Sequence, residues 1–335
     1  MAFIRNFWSP NHILGIDKDF FVYEHGSERG KLNFLIAVCK DTREIRAIQG
    51  FIPYSDNKEK LHVCGVMSKT HPNNNVPFLG LETMNRMLHA VNPVSYCGIG
   101  TNPKTMLPLV KKFLKRHVGV MSHYYMLNKN LKEFRIAIPD PSETALDYCY
   151  LDESAHSLER VSDCEDISSI LKSIEISPSI PFKSSRYIVR RYFNNPIYTY
   201  KTYKICDQEN KAISLVVTRE VWRKSRCILN LVDYIGNIDD LSKLKNLFQK
   251  LLHEKGYEYI DCLCDGIPDA SFYKMGFRRK ENDGNTVIPI YFEPFVAKNI
   301  KIYFEKSRQD QIIFKGDSDA DRPSKRSKSS PQFSS

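Results

Sequence analysis

The sequence has no apolar run that approaches membrane-spanning length, and residues 1–10 lack the apolar core of a signal peptide. We therefore expect no transmembrane segment and a cytoplasmic location. Nine cysteines are scattered over 335 residues without the spacing of a zinc site or a redox motif. They are expected to be reduced and mostly structural, because a free cysteine behaves as a small buried hydrophobe.

A metal site is not indicated either. Asp317, Asp319 and Asp321 have the spacing that opens a calcium loop, but the glycine and the distal glutamate that such a loop requires are missing. The sequence therefore predicts no metal at this position.

Charged residues are unevenly distributed along the chain. The chain carries a net charge of +10, but residues 139–176 contain ten carboxylates and two basic residues, so this connector is at −8 and the remainder at +18. A positive surface favours anionic ligands such as a nucleotide, a phosphorylated carrier or an RNA. The charge by itself does not choose among them.

One order of predicted elements occurs twice: helix, strand, helix, strand. The first copy lies within residues 79–127 and the second within residues 241–292, where apolar residues recur at helical spacing and glycines end the helices. Residues 118–127 are predicted to form one strand, and residues 286–292 the last strand of the second copy. The repeat predicts an α/β (α+β) chain with two similar domains in tandem.

The length and composition are sufficient for two domains. A hydrophobic content of 42% in 335 residues is enough for two cores of ordinary size. We predict a first domain at residues 1–138, an acidic connector at 139–179 and a second domain at 180–314. Residues 315–335 are polar and low in apolar residues, so they are predicted to form a disordered tail.

A polar loop, T-H-P-N-N-N-V-P, runs from residue 70 into the first predicted helix. The first amide N–H groups of a helix have no internal partners and carry partial positive charge, so a phosphate would sit at this junction. Gly80 allows close approach to the backbone, and the candidate binding residues are Phe78, Leu79, Gly80 and Leu81. An ordinary loop-to-helix junction would have the same pattern, so both interpretations stay open.

His12 is the candidate proton carrier near the start of the chain. It follows Ser9 and Pro10, which can open a short helix, and the reference pKa of histidine lies near neutrality. A capping or packing role is the alternative for this histidine.

Short motifs are spread over nearly the whole chain. The first half has W-S-P-N-H-I-L at residues 8–14, G-F-I-P at 50–53, F-L-G-L at 78–81, G-T-N-P-K at 100–104 and S-H-Y-Y-M-L-N at 122–128. The second half has F-Y-K-M-G-F at 272–277, Y-F-E-P-F at 291–295 and G-D-S-D-A-D-R-P at 316–323. Together they resemble the GNAT acyltransferase fold, and most of all the tandem-GNAT proteins related to Fem aminoacyltransferases that occur among bacterial surface-polysaccharide biosynthesis proteins.

The resemblance implies two GNAT-like domains, each with a mixed, mainly antiparallel sheet flanked by helices. It also implies an N-acyltransferase in which an amine, carried by an amino sugar or a nucleotide sugar, attacks the thioester of an acyl-CoA. The candidate bases are Glu82 and His12, and Asn102 is a candidate positioning group. The loop before Gly80 keeps only the later glycine of the family's pyrophosphate loop.

The proton donor to the departing thiolate is a separate question. GNAT enzymes often place a tyrosine on the helix that follows the position of Asn102, but this helix has no tyrosine. The predicted donors are therefore Tyr124, Tyr125 or His123 on the following strand.

Two alternatives remain open at this level. The donor could be an aminoacyl-tRNA, which the Fem resemblance and the +18 charge outside the connector allow. The chain could also be a non-catalytic scaffold or carbohydrate-binding partner in polysaccharide assembly. If only one domain binds a donor, the first is favoured, because the loop before the second long helix, G-N-I-D-D, carries two carboxylates that would repel a pyrophosphate.

Overall fold

The computed structural model describes residues 1–27, 30–144, 156–281 and 284–323. The α-helices of these ranges are α1 (Ala2–Phe7), α2 (Ile13–Ile16), α3 (Lys18–His25), α4 (Leu79–Val91), α5 (Met106–Phe113), α6 (Asp166–Ser173), α7 (Ser185–Ile188), α8 (Lys245–Glu254) and α9 (Asp269–Lys274). The strands are β1 (Phe34–Val38), β2 (Ile45–Pro53), β3 (His62–Thr70), β4 (Ser95–Ile99), β5 (His117–Val120), β6 (Ser122–Leu127), β7 (Ser157–Val161), β8 (Tyr200–Cys206), β9 (Ala212–Arg223), β10 (Arg226–Gly236), β11 (Tyr259–Asp265), β12 (Arg278–Arg279), β13 (Tyr291–Phe292), β14 (Phe295–Val296), β15 (Tyr303–Lys306) and β16 (Ile313–Phe314).

The first sheet has six strands in the order β1-β2-β3-β4-β15-β5. Its neighbours are antiparallel except for β3 and β4, which run parallel. Helix α4 connects these two strands and lies against the sheet with Met84 and Met87 buried. Burial of each of these side chains contributes about 1.5–3 kcal/mol. Helix α5 packs on the same face through Leu107 and Val110.

The second sheet has the order β12-β6-β11-β10-β9-β8-β7, and β16 pairs with β11. Here β10 and β11 are the parallel neighbours, as β3 and β4 are in the first sheet. Helix α8 connects them and buries Phe248 and Leu252. The two sheets therefore repeat one arrangement, a mixed and mainly antiparallel sheet with a helix joining its parallel pair.

Each sheet contains one strand from the other half of the chain. Strand β15 lies between β4 and β5 of the first sheet, and β6 lies between β12 and β11 of the second. Met121 separates β5 from β6, so the predicted single strand at residues 118–127 is two strands in different sheets. The predicted strand at residues 286–292 is also shorter, since only Tyr291–Phe292 forms a strand, in a hairpin with β14.

The structure confirms the predicted fold class, two mixed sheets flanked by helices in one α/β chain. The sheets nevertheless do not divide at the predicted connector. The chain passes to the second sheet at β6, and the described part of the connector contributes β7 and α6, with β7 paired to β8. The remaining connector residues, 145–155, lie outside the described ranges.

The predicted disordered tail needs a correction for residues 315–323. Most of these residues are buried, and the carboxylates of Asp317 and Asp321 are paired with cations from other elements, which is why this polar segment folds into the interior. Residues 324–335, the rest of the predicted tail, lie outside the described ranges. Among the described helices, none combines the length and the apolar composition that a bilayer span needs.

Candidate functional site

The parallel strands β3 and β4 separate part-way along their length. They pair from His62 and Ser95 as far as Gly65 and Gly98. Beyond that point β3 continues to pair with β2 up to Thr70. The register of this pairing shifts at Met67, where φ is positive at 51°. Strand β4 instead ends at Ile99, and the chain turns away at Gly100, where φ is 85°. A V-shaped cleft opens between the two strands.

The cleft leads into a cavity of about 840 Å³, a volume typical of ligand sites. The middle of the cavity is lined by residues 65–70 of β3 and by residues 98–102, which begin at the last residue of β4 that pairs with β3. Gly80 at the start of α4 lines one end, which we call the helix end. The other end is lined by side chains from both halves of the chain, including Trp8, Tyr198 and Arg322, and we call it the far end.

Helix α4 begins at the helix end, where the sequence predicts a phosphate site. Phe78 precedes the helix with φ of 55°, is 57% exposed and packs on Phe113 with ring centroids 5.5 Å apart. Gly80 lines the cavity, and a Cβ there would lie 3.2 Å from Thr70 Cγ2, so the backbone lies close to β3. Leu79 and Leu81 are half-buried beside it. The role of these four residues in donor binding stays a prediction.

Two of the candidate catalytic residues lie at the cavity. Asn102 lines it after β4, and its Oδ1 accepts hydrogen bonds from the N–H groups of Lys104 and Thr105 at 2.9 and 3.2 Å. His12 lines the far end; its Nδ1 accepts from the N–H of Leu14 at 3.2 Å, and its Nε2 lies 3.0 Å from Arg322 Nη2. Burial and the nearby Arg322 cation lower the pKa of His12 to about 4, so this imidazole is neutral at pH 7.

The structure does not bring Glu82, the other candidate base, into the cavity. Glu82 is exposed on α4 and its Oε1 accepts from Arg86 Nε at 2.6 Å, one turn along the helix. A base at this position would face solvent rather than the cleft.

Tyr124 and Tyr125 do not line the cavity either, contrary to the role predicted for them. Both lie on β6, which belongs to the second sheet. The Tyr124 hydroxyl donates to Asp269 Oδ1 at 2.5 Å, and that of Tyr125 donates to Glu143 Oε2 at 2.7 Å. The physical reason is the strand exchange, which carries these side chains away from β4.

Sequence reasoning missed the residues of the far end that come from the C-terminal segment. Asp319 lines the cavity with its Oδ2 3.1 Å from Arg322 Nη1, and burial raises the pKa of its carboxyl although Arg322 opposes the rise. Asp321 Oδ1 lies 2.6 Å from Arg219 Nη2. Although burial opposes ionisation, the cations of Arg219 and Lys315 hold the pKa of Asp321 well below its usual value. The dense charges of G-D-S-D-A-D-R-P were the available signal.

A second residue that sequence reasoning missed is Glu305 on β15. It lines the cavity, is 1% exposed and lies opposite Gly98, the last residue of β4 that pairs with β3. Burial raises the pKa of its carboxyl to about 7, against the effects of Arg116 and the Thr101 hydroxyl. No local pattern marks Glu305, because its neighbours come from the other half of the chain.

The corresponding gap of the second sheet is filled by the chain itself. Strands β10 and β11 pair from Leu229 and Ile260 only to Leu231 and Cys262. One edge of β11 then pairs with β6 and the other with β16 of the C-terminal segment. Directly after β16, a Cβ at Gly316 would lie 2.7 Å from the Val232 carbonyl oxygen of β10.

A buried charge cluster fixes the segment in this second gap. Lys183 Nζ lies 2.6 Å from Asp233 Oδ1 and 2.5 Å from Asp317 Oδ1, and all three side chains are at most 1% exposed. The first sheet thus presents an open cleft and the second a closed one.

No protein-family model matches the chain, and no curated protein is significantly similar to it in sequence. Its fold does match solved structures. A GCN5-related N-acetyltransferase from Anabaena variabilis has a TM-score of 0.51 at 9% identity, over 88% of this chain and 67% of that one. Saccharomyces cerevisiae N-myristoyltransferase with bound myristoyl-CoA has a TM-score of 0.44 at 12% identity, over 86% of this chain and 71% of that one.

A conserved Enterococcus faecalis V583 protein, described as a probable N-acyltransferase, has a TM-score of 0.49 at 10% identity. The match covers 79% of this chain, which spans only 59% of the length of that protein. At these identities the likeness concerns the fold. The chain has a GNAT-like fold, with two GNAT-like units in tandem.

Proposed function

We propose that this chain is an N-acyltransferase that moves an acyl group from acyl-CoA to an amine. The observation that carries the proposal is the open cleft between β3 and β4, which joins a helix start to a chamber lined by both halves. A thioester donor with a long phosphorylated handle suits a site of this shape, because its phosphates and its acyl carbon are far apart.

In this proposal the helix end holds the pyrophosphate of the donor. The first N–H groups of α4, at Leu79, Gly80 and Leu81, supply hydrogen bonds and the partial positive charge of the helix, and Phe78 positions that turn. The pantetheine arm then passes between the edges of β3 and β4. The thioester carbonyl lies in the cleft, where a strand amide polarises it.

The reaction is direct attack of the amine on the thioester carbonyl carbon. Asp319 at the far end is the carboxylate that holds the ammonium of the acceptor and takes its proton before attack, because it faces the cavity and has a raised pKa. Asn102 and His12 line the same cavity and position the two substrates. His12 is neutral at pH 7 and therefore acts by hydrogen bonding.

We further propose that the acceptor is an amino sugar or nucleotide sugar in bacterial surface-polysaccharide biosynthesis, such as O-antigen or capsule, in the cytoplasm. The resemblance of the short motifs to those of tandem-GNAT proteins is the basis for this acceptor. The far end supports it too: the exposed rings of Trp8 and Tyr291 line it and suit the C–H face of a sugar, beside the carboxylate of Asp319.

Isothermal titration with acetyl-CoA, together with thiol release in the presence of glucosamine or a UDP-linked amino sugar, tests the proposal. Wild-type protein is expected to bind acetyl-CoA, and Gly80→Asp to weaken binding by about tenfold or more because a carboxylate at the helix start repels the phosphates. Ser162→Trp, at an exposed position after β7, is the control and should bind normally. Loss of an N-acyl group from the surface glycan of a strain that lacks the protein, seen by mass spectrometry, would identify the acceptor.

Two results would contradict the proposal. Transfer from an aminoacyl-tRNA without any response to acyl-CoA would assign the donor to the Fem-like alternative, and that binding should fall steeply with salt. No affinity for acetyl-CoA or aminoacyl-tRNA in a folded protein would favour a non-catalytic role in polysaccharide assembly.

A further inference from the structure

Glu305 is a buried carboxyl group at the point where the cleft opens. It lies on β15 opposite Gly98, and Gly98 is the last residue of β4 that pairs with β3. A Cβ at Gly98 would lie 3.1 Å from both Cγ and Oε1 of Glu305, so the carboxyl group rests on the bare glycine backbone. Its Oε2 is buried without a hydrogen-bond partner. A buried polar atom of this kind is costly unless a ligand or proton satisfies it.

The carboxyl group lies on the same face of the first sheet as α4 and α5. Its neighbours there include Tyr96, which packs against Met84 of α4. The cavity wall on this face continues from Met84 to Gly80 at the helix start. In the proposed function the donor phosphates lie at Gly80 and its pantetheine arm follows this wall, so we place the thioester sulfur beside the cavity-lining carboxyl group of Glu305.

We propose that Glu305 is the catalytic proton donor to the sulfur of the departing thiol. This inference rests on the proposed acyl-CoA-dependent function. The amine nitrogen bonds to the carbonyl carbon, and the carbon–sulfur bond then breaks with its electron pair on sulfur. The carboxyl proton of Glu305 passes to sulfur and leaves a carboxylate. The proton lost by the amine returns to Glu305 through Asp319 and solvent, so acyl-CoA and amine give amide and free CoA.

The charged and titratable surroundings suit a group that begins protonated and ends charged. Arg116, directly before β5, has its guanidinium carbon 4.9 Å from the ring centroid of Tyr96, and its cation favours the carboxylate that forms. The Thr101 hydroxyl, which lies beside Gly98 as the carboxyl group does, also favours the carboxylate and opposes the rise of its pKa. Helices α4 and α5 contribute Met84 and Met106 to the cavity wall on this side, and neither side chain titrates.

The pKa of Glu305 is suited to proton transfer to a thiolate. Burial raises the pKa of Glu305 to about 7, while an ordinary thiol has a pKa of about 8.5. Transfer from this carboxyl group to a thiolate is therefore favourable, and about half of the enzyme carries the proton at pH 7. Helix α5 supplies no hydroxyl, thiol or imidazole side chain that could do the same.

The test compares wild-type, Glu305→Gln and Glu305→Asp proteins in single-turnover acyl transfer from acetyl-CoA between pH 5.5 and 9. In wild type the rate should fall as the pH rises above about 7, because Glu305 loses its proton. In Glu305→Gln the rate should be lower by about a hundredfold and this alkaline fall should disappear. Glu305→Asp should keep the alkaline fall at a reduced rate. Glu220→Gln removes a half-buried carboxylate, bonded to Lys201 and Tyr257, and should match wild type.

Titration calorimetry and melting temperature separate chemistry from folding. Glu305→Gln should bind acetyl-CoA within about threefold of wild type and melt normally, since a neutral amide replaces a carboxyl group that is half protonated at pH 7. The assignment would be overturned if Glu305→Gln reacted at the wild-type rate or kept the alkaline fall. It would also be overturned if the substitution instead abolished a fall of the rate towards acidic pH, as expected for a base. Each of these results would leave the acyltransferase proposal intact. A wild-type protein that binds no acyl-CoA would overturn both.

Discussion

The two halves of this protein differ in what occupies the gap between their parallel strands. In the first half the gap between β3 and β4 opens into a cavity of about 840 Å³. In the second half the gap between β10 and β11 holds β16 and the turn at Gly316, fixed by the buried ion pairs of Lys183. One architecture thus serves as a ligand site in one copy, in our proposal, and as a packing site in the other.

The starts of α4 and α8 also differ in how well they could accept an anion. Helix α4 begins beside a cavity-lining glycine, Gly80. In the second half the 3₁₀ turn before α8 has Asp239 and Asp240 in its first turn. Because carboxylates at a helix start occupy the place that an anion would take, the second start is already compensated by its own side chains. In our proposal, a copy of this fold has no donor site where its own chain fills the gap and carboxylates lie at its helix start.

The largest expected effect is on stability, when the buried cation of Lys183 is removed from the closed gap. Lys183→Met leaves Asp233 and Asp317 buried without a positive partner, and it should lower the free energy of unfolding by about 3–5 kcal/mol. Urea denaturation followed by fluorescence measures this. Arg308→Met removes an exposed pair with Asp310 and should cost about 0–1 kcal/mol. Equal effects of the two substitutions would show that the closed gap does not depend on its charges.

The next effect comes from closing the open gap artificially. Ser68→Trp places a large ring in the cleft beside β4, and acetyl-CoA binding should weaken by about tenfold or more, ~1.4 kcal/mol, without loss of stability. Calorimetry and a thermal melt measure the two quantities. Ser162→Trp again serves as the control, and unchanged binding in Ser68→Trp would place the donor elsewhere.

A third prediction uses pH to examine the closed gap. Burial raises the pKa of Asp317 to about 6 against the opposing effect of Lys183, whereas the unfolded value is near 3.9. The folded state therefore binds this proton more tightly, so the stability it contributes is present below about pH 4 and is lost as the pH rises through about 6. Relative to Asp317→Asn, wild type should lose stability over this interval. A difference that does not vary with pH would contradict the raised pKa.

The smallest effect is expected at the second helix start. Asp239→Asn with Asp240→Asn should leave the affinity for acetyl-CoA unchanged and cost about 0.3–1 kcal/mol of stability through the helix dipole. Calorimetry would detect any new binding. A gain of affinity would mean that the second gap is not closed to ligands.

Elements with a strong local pattern could be predicted from the sequence. The first copy was predicted to begin with a helix at residue 79, and α4 occurs at Leu79–Val91, with its buried residues at helical spacing. The break at Met121 could not be predicted, since residues 118–127 are rich in β-branched and aromatic residues and only their partners decide that β5 and β6 enter different sheets.

The candidate site was predictable only in part for the same reason. Asn102 and Gly80 lie next to elements that the sequence shows, and both line the cavity. Asp321 was placed in the predicted disordered tail, and its partner Arg219, 102 residues away, could not be recognised from the sequence. Glu305 faces Gly98 and Arg116 only after β15 has entered the first sheet. Long-range pairing, rather than local propensity, assembles this part of the site.

The placement of β15 also has a consequence for biosynthesis on the ribosome. The first sheet cannot become continuous until residues 303–306 have been made and inserted between β4 and β5, although all its other strands come from residues 34–120. Contacts this distant along the chain slow folding, because a long loop must close, at a cost in conformational entropy, before the contacts can stabilise the fold. The growing chain therefore carries two exposed strand edges through most of its translation, which is the period when binding by a chaperone would matter most.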